Sequence, residues 1–178
     1  MPTRRVVYFA LQPDPPVATA AVRLAARLAA ENGLGAAPVP AGRLHVSLNG
    51  LGEDPDERSV ARACDAVSAL RVPPFRIAFN RAGSFAGAGK RPLVLWGDEG
   101  VIGVERLHAA IHLALAGWGL APGRVRAFEP HMTLLWTDRE VAPAWLETPL
   151  AWTARAVVLL ESLQGVGRQS VLGRWPLA

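Results

Sequence analysis

The sequence predicts an α+β fold with largely antiparallel sheets, arranged as one bilobal unit, and three observations predict it. Apolar runs rich in β-branched and aromatic residues alternate with stretches of helical period. Several of these runs follow one another with no helix between them, which favours hairpins over parallel crossovers. One pattern also occurs twice, half a chain apart: Leu44-His45-Val46-Ser47-Leu48 and Pro130-His131-Met132-Thr133-Leu134, each apolar, His, apolar, hydroxyl, apolar. The repeat suggests two related lobes facing each other within residues 1–178, with no linker or low-complexity segment between them.

Val6 to Leu11 reads as a buried strand, closed by the turn residues Gln12-Pro13-Asp14-Pro15-Pro16. Asp14 is placed to cap the next helix, whose stripe is Val17, Ala20 or Ala21, Leu24 and Leu28, with Gly33 as its stop. Leu44 to Leu48 is the first motif strand, ended by Asn49-Gly50-Leu51-Gly52. Asp54-Pro55-Asp56 opens a second helix running to about Leu70, with Val60, Cys64 and Val67 on its inner side. Phe75 to Asn80 and Leu93 to Trp96 read as strands, joined by the glycine-rich stretch Arg81 to Pro92. That stretch is a hairpin connection or a basic lip; it lacks the GK[ST] and following helix of a phosphate-cradling loop. Gly100 to about Gly117 is a third helix, with Val101, Val104, Leu107, Ile111 and Leu115 facing inward. Phe128 to Trp136 carries the second motif, and Trp152 to Leu160 and Ser170 to Trp175 are the last two strands.

With 51% apolar and 19% charged residues and six Trp, the 178-residue chain has the composition of a folded protein with a substantial core. Its formal charge of +4 favours anionic partners. Cys64 is the only cysteine, which excludes an intramolecular disulfide and a cysteine-based zinc site. The N-terminal apolar run is too short for a signal sequence or a membrane span, so a cytoplasmic protein without a membrane partner is expected, and no protein partner or oligomer is indicated.

Four histidines are present. His108 and His112 are spaced for one helix face, but no third ligand lies nearby in sequence, so packing rather than metal binding is expected. His45 and His131 differ, because each precedes a hydroxyl by two residues on a strand, where alternation points both side chains the same way. Cleaving a phosphodiester requires one group to take a proton from the nucleophile and another to protonate the leaving oxygen. Two imidazoles with an ordinary pKa of about 6.5 suit both tasks at neutral pH. Ser47 and Thr133 can donate to the non-bridging oxygens as charge shifts in the transition state. With no cysteine or carboxylate cluster at hand, chemistry free of metals and cofactors is expected.

These residues resemble the 2H phosphoesterase superfamily, named for two His-x-Thr/Ser motifs, and within it the RNA 2′,3′-cyclic phosphodiesterases, or 2′-5′ RNA ligases (LigT-like). The likeness runs along most of the chain, through Arg5 to Leu11, Arg43 to Leu48 followed by Leu51-Gly52, Lys90 to Trp96, Phe128 to Leu134, and Leu160-Glu161-Ser162. The resemblance implies a bilobal pseudo-twofold fold, two mainly antiparallel sheets flanking a central cleft, with helices on the outside. It implies hydrolysis of a ribose 2′,3′-cyclic phosphate, at RNA ends or in small nucleotides, to a 2′-phosphate. His45 and His131 are then the acid and base, with a lean towards His131 as base, and Ser47 and Thr133 bind the phosphate.

Two departures bear on the substrate. Ser47 stands where Thr is commoner, and Gly50 and Trp136 stand where the resemblance leads one to expect an aromatic and an arginine. The lost guanidinium is a lost phosphate clamp. Lys90, Arg91, Arg124 or Arg126 are candidates to supply the charge, and Trp136 to stack on a base. Another cyclic phosphoester, 2′-5′ joining of RNA ends, and an RNA-end-binding module with a degenerate site are the alternatives the sequence leaves open.

Overall fold

The computed structural model describes residues 4–85, 89–120 and 127–178. In chain order the elements are β1 (Arg4–Leu11), α1 (Pro15–Glu31), β2 (Val46–Glu53), α2 (Glu57–Ser68), β3 (Phe75–Ser84), β4 (Arg91–Trp96), α3 (Ile102–Gly117), β5 (His131–Thr137), β6 (Ala144–Ala154), β7 (Ala156–Gln164) and β8 (Arg168–Pro176). Short 3-10 turns at Ala41–Arg43 and Glu99–Val101 lead into β2 and α3.

The helix ends follow their local chemistry. Asp56 opens α2 by accepting a hydrogen bond from the Ser59 amide at 2.6 Å. Asp14 holds the same place before α1, yet its side chain caps nothing. Pro15 and Pro16 carry no N–H, so two of the donors that a cap would serve do not exist. Gly33, at φ +60°, turns the chain away after α1. The expected inner face of α3 is buried at all five positions, Val101, Val104, Leu107, Ile111 and Leu115. On α2, Val60 and Val67 are buried while Cys64 is only partly covered.

All strands pair antiparallel in one eight-stranded sheet, ordered β6-β3-β4-β5-β2-β1-β7-β8. The two sheets expected from the sequence are therefore joined. They survive as two four-stranded halves, β6-β3-β4-β5 and β2-β1-β7-β8, which meet through the single register pair Val46↔Met132. Each of those residues immediately follows a motif histidine, so the seam of the sheet runs through both motifs. The aliphatic residues of the motifs, Leu44, Val46, Leu48, Met132 and Leu134, are buried in one core cluster with the inner faces of α1, α2 and α3. The three helices thus cover the face opposite the histidines.

Three element boundaries depart from the sequence reading. Trp152 to Leu160 is not one strand: β6 ends at Ala154, β7 starts at Ala156, and they pair with β3 and β1 in opposite halves. A single residue, Arg155, cannot span six strand spacings of about 4.8 Å each, so the sheet bends back until these strand ends meet. Apolar character runs through the junction without Gly or Pro, which is why the sequence reads it as continuous. β3 reaches Ser84, with Arg81 to Ser84 opposite Trp96 to Leu93, so the glycine-rich connection is shorter than expected. β2 starts at Val46 and continues through Asn49-Gly50-Leu51-Gly52 to Glu53. Ser47 to Gly50 runs opposite only Ala10 to Tyr8, and a second extra residue follows before Glu53, both absorbed as bulges.

Candidate active site

The antiparallel register around Val46 and Met132 sets His45 alongside Thr133 and Ser47 alongside His131, all four on the face away from the helices. These four side chains line a single cleft of about 420 Å³. Each His-x-hydroxyl motif thus supplies the histidine of one corner and the hydroxyl of the opposite one.

Both rings are held in the same way. His45 Nδ1 lies 2.7 Å from the Arg43 carbonyl oxygen, and His131 Nδ1 lies 2.7 Å from the Glu129 carbonyl oxygen. A carbonyl only accepts, so each Nδ1 carries the hydrogen and each neutral ring keeps its lone pair on Nε2. Two residues back along the chain is the distance at which an extended segment returns a carbonyl to the ring, so the tautomer is set by the backbone leading into β2 and β5.

Around His45 a short relay has formed. The Tyr8 hydroxyl donates to Nε2 over 3.2 Å, and Gln169 Nε2 donates to the Tyr8 oxygen over 3.0 Å. Tyr8 reaches across from the neighbouring β1 and Gln169 from β8 at the edge of the sheet. Burial pushes the His45 pKa down, and repulsion from His131 and Arg43 adds to this against the opposing pull of the Arg43 carbonyl. Burial likewise raises the Tyr8 hydroxyl, so it stays a donor at neutral pH. His131 is braced differently, by the edge-on ring of Phe85 at 4.9 Å between centroids.

The other residues singled out from sequence divide. Trp136 lies on the cleft wall, 51% exposed, and also lines an adjoining groove of about 730 Å³. Lys90 lines that groove and not the cleft. Arg91 is turned to Glu140, with Nη1 at 3.0 Å from the carboxylate, and is not among the cleft-lining residues. Arg124 and Arg126 lie outside the described residues. His108 stacks on Phe128, with centroids 3.9 Å apart and planes within 5°, as a packing residue. Among the described residues no three metal-ligating side chains cluster.

Sequence reasoning passed over Tyr8, Arg43 and Gln169, all of which line the cleft. Arg43 had a local signal: it is a cation two residues before His45, placed beside it by the 3-10 turn that leads into β2. Tyr8 and Gln169 had none, because their approach to His45 depends on the order β2-β1-β7-β8.

The fold and the family match below place the chain in the 2H phosphoesterase class. The chain belongs to the 2′-5′ RNA ligase superfamily, whose family model matches residues 13–165. Its fold is that of Escherichia coli LigT crystallised with 3′-AMP, to which it is 22% identical over 99% of both chains with a TM-score of 0.81. TT0787 of Thermus thermophilus is similar too, at 23% identity over 97% of both chains and a TM-score of 0.77. Usb1 of Kluyveromyces marxianus matches more distantly, at 13% identity over 98% of both chains and a TM-score of 0.54. No curated protein sequence matches the chain. Among the described residues no helix is long and apolar enough to cross a membrane.

Proposed function

We propose that this protein hydrolyses ribose 2′,3′-cyclic phosphates, at RNA ends or in small nucleotides, to 2′-phosphates by two-histidine acid-base catalysis. The observation that carries the reading is the crosswise setting of His45, Ser47, His131 and Thr133 on one cleft, with both Nδ1 atoms engaged by carbonyls. His131 Nε2 takes a proton from water as the water oxygen bonds to phosphorus. The bond from phosphorus to the 3′ oxygen breaks, and His45 returns a proton to that oxygen. Ser47 and Thr133 donate to the non-bridging oxygens, whose charge rises in the transition state.

His45 holds its proton weakly in the empty cleft. The substrate's anionic phosphate supplies the opposite charge that restores it, so protonation accompanies binding and leaves the ring able to give its proton to the departing oxygen. E. coli LigT has been crystallised with 3′-AMP, ATP, NADP+ and phosphate, which supports a nucleotide as ligand of this fold. The half-exposed indole of Trp136 supports base stacking at the cleft mouth, and the groove ending at Lys90 offers room for a further nucleotide. The test is incubation with adenosine 2′,3′-cyclic phosphate followed by separation of the products. Adenosine 2′-phosphate is expected, and recovery of unreacted substrate or of the 3′-phosphate contradicts the reading.

A further inference from the structure

The cleft holds a cation that the reaction outlined above leaves without a task. Arg43, the last residue of the 3-10 turn before β2, lines the cleft with both histidines. Its Nε is buried and has no hydrogen-bond partner, and among the described residues no carboxylate lies within ion-pair distance of its guanidinium. Arg81 and Arg91 share the unpartnered Nε but have carboxylates, Asp98 at 3.1 Å and Glu140 at 3.0 Å, as Arg5 has Glu161 at 2.6 Å; Arg62, also partly covered, gives its guanidinium to the Trp118 carbonyl and does not line the cleft. A partly buried cation without a counter-charge is costly, and it persists where a ligand supplies the missing anion.

The backbone makes the placement firm. The Arg43 amide donates to the Pro40 carbonyl at 2.8 Å, and its own carbonyl holds His45 Nδ1. On the far side the guanidinium lies against the β7–β8 turn, where a side chain at Gly167 would come within 3.5 Å of Arg43 Nη1. Gly167 adopts φ +66° there, a conformation that disfavours any side chain. The residue that fixes the tautomer of His45 through its carbonyl therefore presents a guanidinium to the same cleft. Its charge acts on His45 and on Tyr8. The cleft lining includes no Asp or Glu among the described residues, and neither Lys90 nor Arg91 belongs to it.

We propose that Arg43 is the phosphate clamp of this cleft, binding the non-bridging oxygens of the substrate through its guanidinium together with the hydroxyls of Ser47 and Thr133. A planar fork of N–H donors matches two phosphate oxygens at once, and an ammonium does so less well. Trp136 occupies the place where an arginine was expected, and the charge enters from the 3-10 turn leading into the first motif instead of the strand carrying the second. The proposal rests on the cleft being the phosphoester site.

Inorganic phosphate, titrated against the whole protein by calorimetry, measures the clamp without reference to any reaction. Arg43→Gln is expected to weaken phosphate binding by about 10- to 100-fold, the usual worth of charge-assisted hydrogen bonds. Arg43→Lys should recover part of that loss, and Arg23→Gln on the outer face of α1, which changes net charge equally, should leave binding unaltered. The kcat/KM for adenosine 2′,3′-cyclic phosphate should fall in step with phosphate affinity, with an unchanged melting temperature showing that Arg43→Gln is folded. Undiminished phosphate affinity in folded Arg43→Gln, or no phosphate binding by the wild-type protein, overturns the clamp. A wild-type protein that binds phosphate through Arg43 but leaves the cyclic nucleotide intact overturns the proposed reaction and upholds the clamp.

Discussion

Val46 and Met132 face each other at the seam where the two halves of the sheet pair, each one residue beyond a motif histidine. Both side chains are fully buried against the helices, and their strand neighbours on either side carry the cleft chemistry. Packing beneath the sheet therefore sets the spacing of the histidines and hydroxyls above it. A slip of either strand by one residue would turn its histidine into the core.

Truncation at the seam should be felt in stability and activity together. Met132→Ala is expected to cost about 2–5 kcal/mol by opening a cavity, measured by urea unfolding. Met132→Leu conserves volume and should cost under about 1.5 kcal/mol while keeping activity. Equal stability of the two variants contradicts a close-packed seam.

Ser47 and Thr133 sit on the cleft surface, with Ser47 exposed and Thr133 partly covered, so their removal should spare the fold. Ser47→Ala and Thr133→Val are each expected to lower kcat/KM by about 10²–10³, the usual loss of a transition-state donor. Melting temperatures should stay within a few degrees of wild type. Two variants with full activity would show that these hydroxyls do not touch the reacting phosphate.

The pH dependence of His45 has a definite sign. Its pKa is lowered in the empty folded cleft relative to the unfolded chain, so the unfolded state binds more protons below about pH 6.5. Its contribution to stability is complete above that pH and is lost as pH falls towards the folded pKa. Anion binding works in the opposite sense: phosphate restores the proton, so affinity should weaken as pH rises above the pKa of the empty cleft. Calorimetry in buffers of different ionisation enthalpy should show proton uptake on binding, and no uptake contradicts this coupling.

The Tyr8 hydroxyl donates to the neutral form of His45, and Gln169 holds that hydroxyl in place. Tyr8→Phe keeps the ring but removes the donor, so the His45 pKa should rise, read from the imidazole proton shifts by NMR titration. Gln169→Ala should move it in the same direction by less. An unmoved His45 titration in Tyr8→Phe would mean that the hydroxyl does not bond Nε2 in solution.

The grouping of His45 with Ser47 and His131 with Thr133 on one face was legible in the sequence because local alternation is enough to produce it. The helices were legible for the same reason, since Val104, Leu107, Ile111 and Leu115 recur at helical spacing and are buried. What escaped was everything decided by strand order. Arg155 separates β6 from β7 with no breaker to mark it. The joining of two sheets through Val46 and Met132, and the approach of Tyr8 and Gln169 to His45, arise from pairings between distant segments. Arg43 stands one residue before the first motif, but only its place on the cleft without a counter-charge distinguishes it from an ordinary surface arginine.

If two histidines share one phosphodiester cleavage, single-residue kinetics will show it. The wild-type protein should hydrolyse adenosine 2′,3′-cyclic phosphate with a bell-shaped pH profile that survives EDTA. His45→Ala and His131→Ala should each lose about 10²–10⁴ in kcat/KM. Turnover at the wild-type rate in both variants would mean that neither histidine moves a proton in the cleavage.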